Sequence, residues 1–282
     1  VTTLSYLISP AALLRALDDP HLVIVDCRFR LGDPTAGFNA YQQSHLPGAF
    51  YLDLEKDLSS PIGTHGGRHP LPDLDRFVSK LGEIGVDSEA RVVVYDDLFG
   101  MMASRLSWLL HYLGHTNVQL LDGGWQKWVE LGYPTTDRVP SPRPTTFIPN
   151  IQPQLLADRS EVLEKLNSEQ TILIDSREEI RYRGEKEPID PIAGHIPSAH
   201  NYFWQGVVKS SGEWKSPEEL VEHFKDLPKD KELIVYCGSG VSATPNYFAL
   251  KEIGYPQVKL YSGSWSDWIT YPDSPIAKKP EE

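Results

Sequence analysis

One thiol stands where the chain could do covalent chemistry. The apolar run Leu233-Ile234-Val235-Tyr236 reads as a buried strand, and it breaks at Cys237. Gly238-Ser239-Gly240-Val241-Ser242 follows as a short loop, and Ala243 to Ile253 has the character of a helix. At such a strand-to-helix turn, loop amides and the positive end of the helix dipole converge on the sulfur and favour its thiolate. Glycines at 238 and 240 let the backbone curl so that several N–H groups point inward as a cradle for an anion. The plain alternative, a buried and inert cysteine, is common for free thiols. The two glycines directly after the strand favour the reactive reading.

The rest of the composition narrows what that thiol can do. The chain has two cysteines, Cys27 and Cys237, far apart and with no Cys/His pair at ligand spacing, so neither a disulfide framework nor a zinc site is expected. No cofactor and no metal are called for. A cysteine phosphatase also cradles its cysteine between a strand and a helix, but it needs an arginine six positions on, where this chain has Ala243. The net charge of −12 argues against nucleic acid as a partner. No stretch approaches the length of a membrane span, and Val1 to Pro10 lacks the charged and apolar regions of a signal peptide, so no membrane partner and a cytoplasmic location are expected.

The elements that must position Cys237 come in two rounds. Ser9-Pro10 opens an amphipathic helix to Leu17, with Ser9 as N-cap, and Leu22–Asp26 is a short strand. A polar stretch leads to His45-Leu46-Pro47-Gly48-Ala49 and on to Tyr51-Leu52-Asp53. A Gly/Pro-rich loop from Pro61 to Pro72, a helix from Asp73 to Leu81 and a strand Arg91–Tyr95 come next. A helix over Ala103–Leu113, a strand Val118–Leu121 and a helix starting near Trp125 complete the round. Strands alternating with helices predict a mainly parallel α/β sheet flanked by helices.

Three landmarks then recur in the same order, roughly 140 to 150 residues on, which makes tandem duplication the economical reading. Ile174-Asp175-Ser176-Arg177 echoes Val25-Asp26-Cys27-Arg28, His195-Ile196-Pro197 echoes His45-Leu46-Pro47, and Gly263-Ser264-Trp265 echoes Gly123-Gly124-Trp125. The first copy carries about ten extra residues at the loop Pro61 to Pro72. Prolines 134, 140, 142, 144 and 149 mark an extended connector between the copies. The expected division is 1–134, a linker 135–150, and 151–282, with a loosely ordered polar tail after Pro272. Aligned strands place Asp96 where the second copy has Cys237. Because both copies have them, His45 and His195 read as structural ties, and Trp125 and Trp265 as core anchors; Cys27 reads as packing.

Paired copies, the His-Ile-Pro-Ser-Ala and Gly-Ser-Trp landmarks, and Cys237-Gly238-Ser239-Gly240-Val241-Ser242-Ala243 resemble the two-domain rhodanese superfamily, and the loop is most similar to that of 3-mercaptopyruvate sulfurtransferases. The resemblance implies two tandem rhodanese-like domains, the first catalytically silent because Asp96 cannot accept and release sulfur. It implies transfer of sulfur from a small-molecule donor, 3-mercaptopyruvate or alternatively thiosulfate, through a Cys237 persulfide to cyanide, a thiol or a thioredoxin-like acceptor. Gly238, Ser239, Gly240, Val241 and Ser242 would form the persulfide cradle. By position, Ser239, His69 and Asp53 match a proton relay near the thiol, and Arg181, with Arg183 beside it, matches an arginine that binds the donor's anionic end. The chain departs from the pattern in one place: a second substrate arginine is expected between Glu185 and Ala193, where only Lys186 is basic and Ile189 stands near the expected position. Thiosulfate-preferring members carry basic residues directly after the cysteine, and this loop is neutral. The rival from another class is a non-catalytic module that binds or carries sulfur.

Overall fold

The structure is a computed structural model describing residues 6–279. By internal contacts it falls into two compact units. The first comprises Val1–Ser60, Leu71–Gln152 and Val208–Trp214; the second comprises Pro61–Pro70, Pro153–Val207 and Lys215–Glu282. Each unit therefore includes a short segment from the other half of the chain.

The first unit runs β1 (Leu7–Ile8), α1 (Pro10–Ala16), β2 (Leu22–Asp26), α2 (Ala36–Gln43), β3 (Ala49–Tyr51), α3 (Leu74–Glu83), β4 (Arg91–Tyr95), α4 (Met101–Tyr112), β5 (Val118–Leu121) and α5 (Gly124–Glu130). The second repeats the plan as β6 (Leu156–Ala157), α6 (Arg159–Glu164), β7 (Thr171–Asp175), α7 (Glu179–Tyr182), β8 (His200–Asn201), α8 (Pro217–His223), β9 (Glu232–Tyr236), α9 (Thr244–Glu252), β10 (Val258–Tyr261) and α10 (Ser264–Trp268). The sheets have the same strand order, β1-β5-β4-β2-β3 and β6-β10-β9-β7-β8, and every strand pair is parallel. The central strands β4 and β9 are buried from their second residue on, as expected of parallel strands covered on both faces. No helix among the described residues is long and apolar enough to cross a membrane.

Both copies carry one internal brace. In the first, Arg28 donates to Asp26 at 2.6 Å and to the Ser44 carbonyl at 2.6 Å, and its guanidinium carbon lies 4.2 Å from the ring centre of Trp125. In the second, Arg177 donates to Asp175 at 2.6 Å and to the Gly194 carbonyl at 2.6 Å, 4.8 Å from the ring centre of Trp265. A buried ion pair is tolerated only when its remaining donors are satisfied. The backbone carbonyl and the indole face do this in each copy. Trp125 and Trp265 thus owe their recurrence to a buried arginine.

The histidines of the repeated turn are ties. His45 Nδ1 meets the Tyr41 carbonyl at 2.6 Å and Nε2 the Arg138 carbonyl at 2.9 Å, while His195 Nδ1 meets the Tyr182 carbonyl at 2.7 Å. His45 also bridges Thr136, and His195 bridges Ala277. The latter corrects the expectation of a loose tail: Ala277 exchanges both backbone hydrogen bonds with His195, the Pro275 carbonyl accepts from the Trp268 indole, and Lys279 N donates to the Arg183 carbonyl. Residues 280–282 of that tail lie outside the described residues. Polarity of side chains suggested disorder, but the segment is held by its backbone. The polar stretch before His45 likewise contains a helix, α2, whose Tyr41 is buried. Residues 137–152 form no helix or strand, and they are pinned along the first unit by Thr145 N to the Gly82 carbonyl and Asn150 N to the Leu113 carbonyl, each at 2.8 Å.

Candidate active site

Cys237 follows the last residue of β9, and its loop is fixed to the turn after β10. Ser264 Oγ accepts from Cys237 N at 3.1 Å, the Cys237 carbonyl accepts from Trp265 N, and the Gly238 carbonyl accepts from Ser266 N. The loop then bends so that Gly240 N donates to Cys237 Sγ at 3.2 Å. That bend needs glycine twice over. Gly240 has φ +80°, and a Cβ there would meet the Ser262 carbonyl oxygen at 2.2 Å. The Val241 carbonyl accepts from Thr244 N and, at 2.6 Å, from Thr244 Oγ1, which leads the chain into α9. Ser242 is half-buried.

Pro61–Pro70, distant in sequence, belongs to this unit and lies against α10. Gly66 N donates to Asp267 Oδ1 at 2.8 Å, Arg68 N to Ser266 Oγ at 3.1 Å, and the His65 ring stacks on Tyr271 at 4.0 Å. These ties present two side chains to the cysteine loop. His69 Nδ1 and Ser239 Oγ share a hydrogen bond of 2.7 Å, both residues buried. Arg68 reaches Gly238: a Cβ on that glycine would lie 2.8 Å from Arg68 Nη2 and 3.5 Å from Arg181 Nη2. Two guanidiniums thus approach Gly238.

Cys237, Ser239, His69 and Arg181 are all brought together within the second unit. Arg181 Nη2 donates to Glu187 at 2.9 Å and to Asp190 at 3.3 Å, not to Glu178 or Glu185. Burial raises the Glu187 carboxyl, but hydrogen bonds from Arg181 and from the Asp190 and Ile189 amides outweigh it and hold the group below the ordinary carboxylate range. Arg183 is turned to the surface pairs Glu185 and Glu179. Asp53 belongs to the first unit, where its Oδ1 accepts from the amides of Glu55 and Lys56. Sequence reading missed Arg68 and Asp190. A basic residue directly before His69 was the available signal for the first; nothing local marks the second.

The corresponding turn of the first unit is occupied from within. Asp96 accepts four backbone hydrogen bonds, from Leu98, Gly100, Met102 and Ala103, at 2.8 to 2.9 Å. Burial pushes its carboxyl up, and those amides partly counter the push. The neighbouring Cys27 thiol is driven well up by burial and by the charges of Asp26, Asp96 and Asp57, so it is a poor nucleophile.

The rhodanese-like domain family matches twice, at residues 9–131 and 158–271. Over 276 residues the chain is 43% identical to a probable 3-mercaptopyruvate sulfurtransferase of Pseudomonas aeruginosa, covering 96% of this chain and 97% of that one. It is 34% identical to a thiosulfate sulfurtransferase of Rattus norvegicus, covering 89% and 86%. Among solved structures, SseA from Escherichia coli, described with the 3-mercaptopyruvate sulfotransferases, superposes with a TM-score of 0.81 at 30% identity, covering 93% of this chain and 99% of that one. With two matched domains, two parallel sheets of one topology and relatives of both donor types, the chain belongs to the two-domain rhodanese family and is a sulfurtransferase.

Proposed function

We propose that this sulfurtransferase takes sulfur from 3-mercaptopyruvate and passes it to cyanide or a thiol through a persulfide on Cys237. The observation that carries the reading is the meeting of the Cys237 loop with His69 through the 2.7 Å bond to Ser239. The Cys237 thiolate attacks the mercapto sulfur, and an S–S bond forms as the C–S bond breaks. The C–S electron pair goes to carbon as the pyruvate enolate, which takes a proton to give pyruvate; Cys237 sulfur is oxidised and carbon reduced. In this reading the Ser239–His69 pair relays that proton, which their 2.7 Å hydrogen bond supports. The outer sulfur, anionic, is held by loop amides of which Gly240 N already reaches Sγ. An acceptor nucleophile then attacks the outer sulfur and regenerates the thiolate.

The loop from Gly238 to Ser242 carries no charge of its own, unlike the basic loops of thiosulfate-preferring members, and this supports a carboxylate donor over thiosulfate. We further propose that the first copy is catalytically silent, its cradle being filled by Asp96. Intact mass after incubation with 3-mercaptopyruvate tests the reading: a gain of about 32 Da, removed by cyanide and absent in Cys237→Ser, is expected. No gain with either 3-mercaptopyruvate or thiosulfate would overturn it, faster loading by thiosulfate would overturn the donor, and a gain that cyanide and thiols leave in place would point to a carrier.

A further inference from the structure

The second unit has a cavity at a place that the first unit fills with its own side chains. It measures about 390 Å³ and is lined by Tyr182, His195 and the edge segment Ser198 to Tyr202. That volume lies within the range of small-molecule sites. Around it the two units match closely. Tyr41 stacks on His45 and Tyr182 on His195, each with ring centres 3.9 Å apart, and each tyrosine donates its hydroxyl to a backbone carbonyl, Ala49 or Ala199, at 2.7 Å. The edge strands hold one register, Tyr51 beside Asp26 in β3 and Asn201 beside Asp175 in β8. Tyr51 Oη donates to the Arg28 carbonyl at 2.9 Å, and Asn201 Nδ2 donates to the equivalent Arg177 carbonyl at 2.9 Å. The shorter side chain thus satisfies the same carbonyl without a ring. Three residues before the tyrosine, Phe38 lies 5.5 Å from the Tyr51 ring and 6.4 Å from the Tyr41 ring, whereas its counterpart Glu179 is 73% exposed and paired with Arg183. Two rings of the first unit have no equivalent in the second, and the cavity stands in their place.

The walls of this cavity are aromatic and one edge of it is polar. β8 is the outermost strand of its sheet. Tyr202 N donates to the Asp175 carbonyl, so by the alternation of a strand the preceding Asn201 turns its own N–H and C=O away from β7, to the open edge. Ala199, two residues back, has its carbonyl taken by Tyr182, but among the described residues the outward groups of Asn201 have no such partner. Both hydrogens of Asn201 Nδ2 are engaged by the carbonyls of Asp175 and Arg177, and no protein donor among the described residues reaches Oδ1. One residue therefore presents a donor and two acceptors beside tyrosine and histidine rings. An N–H next to a carbonyl on a flat ring complements a backbone N–H and C=O in one plane, and the ring itself packs well against aromatic neighbours. We propose that the cavity binds a small planar heterocycle with an N–H beside a carbonyl, the edge that a cyclic amide or a pyrimidine base presents. Its ring takes the place that Phe38 and Tyr51 fill in the first unit, and its polar edge pairs with Asn201.

The test uses two compounds that differ only at that edge: 2-pyridone, whose N–H adjoins its carbonyl, and N-methyl-2-pyridone, in which a methyl group blocks the donor. Backbone amide shifts of the full-length, isotope-labelled chain are followed by NMR as each is added. 2-Pyridone is expected to move the Asn201 amide saturably with a Kd on the order of 1 mM, as suits so small a ring, and the N-methyl compound should bind about tenfold or more weakly. The variant E179F/N201Y restores both rings of the first unit and should abolish the response. Equal affinity for the two compounds, no saturable shift at Asn201 in the wild-type protein, or binding that survives E179F/N201Y overturns the proposal. If E179F/N201Y loses its folded circular dichroism, N201Y alone takes its place, and the comparison of the two compounds on the wild-type protein decides in any case.

Discussion

At the scale of single residues, the site depends on what is missing from its glycines as much as on what its side chains supply. Gly240 combines a left-handed backbone with a carbonyl oxygen 2.2 Å from any Cβ. Gly240→Ala is expected to cost about 1–3 kcal/mol of stability and to move the amide off Cys237 Sγ, lowering the rate of sulfur uptake by about tenfold or more. Thermal unfolding and persulfide formation measured on the same sample check this; an unchanged rate would show that the amide is not needed. Cys237 and its glycines were legible in the sequence because strand, turn and helix are contiguous, so the signal is local. Arg68 and Asp190 were not, since their meaning is a contact spanning 122 positions. Arg181 was legible only through family likeness; its ion pairs, to Glu187 and Asp190, are set by how the fold brings that stretch back onto α7.

Among the elements, the repeat was readable because each copy must bury the same parallel sheet. The strand bounds at Leu22–Asp26, Arg91–Tyr95 and Val118–Leu121 coincide with the expected ones, since continuous β-branched and aliphatic runs leave little choice. Helices α2 and α8 were not picked out: their apolar residues are few and their packing partners lie elsewhere in the chain. α8 carries a testable consequence in its last turn. Burial, with the charge of Lys215 as a lesser cause, lowers the affinity of His223 for a proton, and its Nε2 is buried without a hydrogen bond. The fold therefore prefers the neutral ring. Its contribution to stability is complete above the ordinary histidine value of about 6.5 and is lost as pH falls below it toward the lowered folded value. His115 acts with the same sign. The melting temperature is expected to fall between about pH 7 and pH 5, and His223→Phe should make that fall shallower. An identical fall in the variant would show that His223 is not a source of it.

For the whole molecule, duplication does not make the copies self-sufficient. The second unit takes Pro61–Pro70 from the first half of the chain, and with it His69 and Arg68. A fragment of residues 153–282 keeps Cys237, Ser239 and Arg181 but loses the partner of Ser239 and one of the two guanidiniums at Gly238. Such a fragment, even where circular dichroism shows it folded, is expected to take up sulfur from 3-mercaptopyruvate about a hundredfold or more slowly than the full chain. Uptake at the full rate would mean that the loop is not part of the working site. The sequence pointed to a loop peculiar to the first copy, but which unit it serves is a long-range fact that no local pattern records.

The reciprocal segment has a consequence in time. Val208–Trp214 is part of the first unit, and Trp214, whose side chain is buried, donates its backbone N–H to Asp122 at 2.8 Å. On a ribosome, residues up to 152 emerge well before 214 does. At about 5–20 residues per second the gap is roughly 3 to 12 s. For that interval the N-terminal sheet exists without its last piece, so a domain that would ordinarily finish first must wait for its successor to be half made.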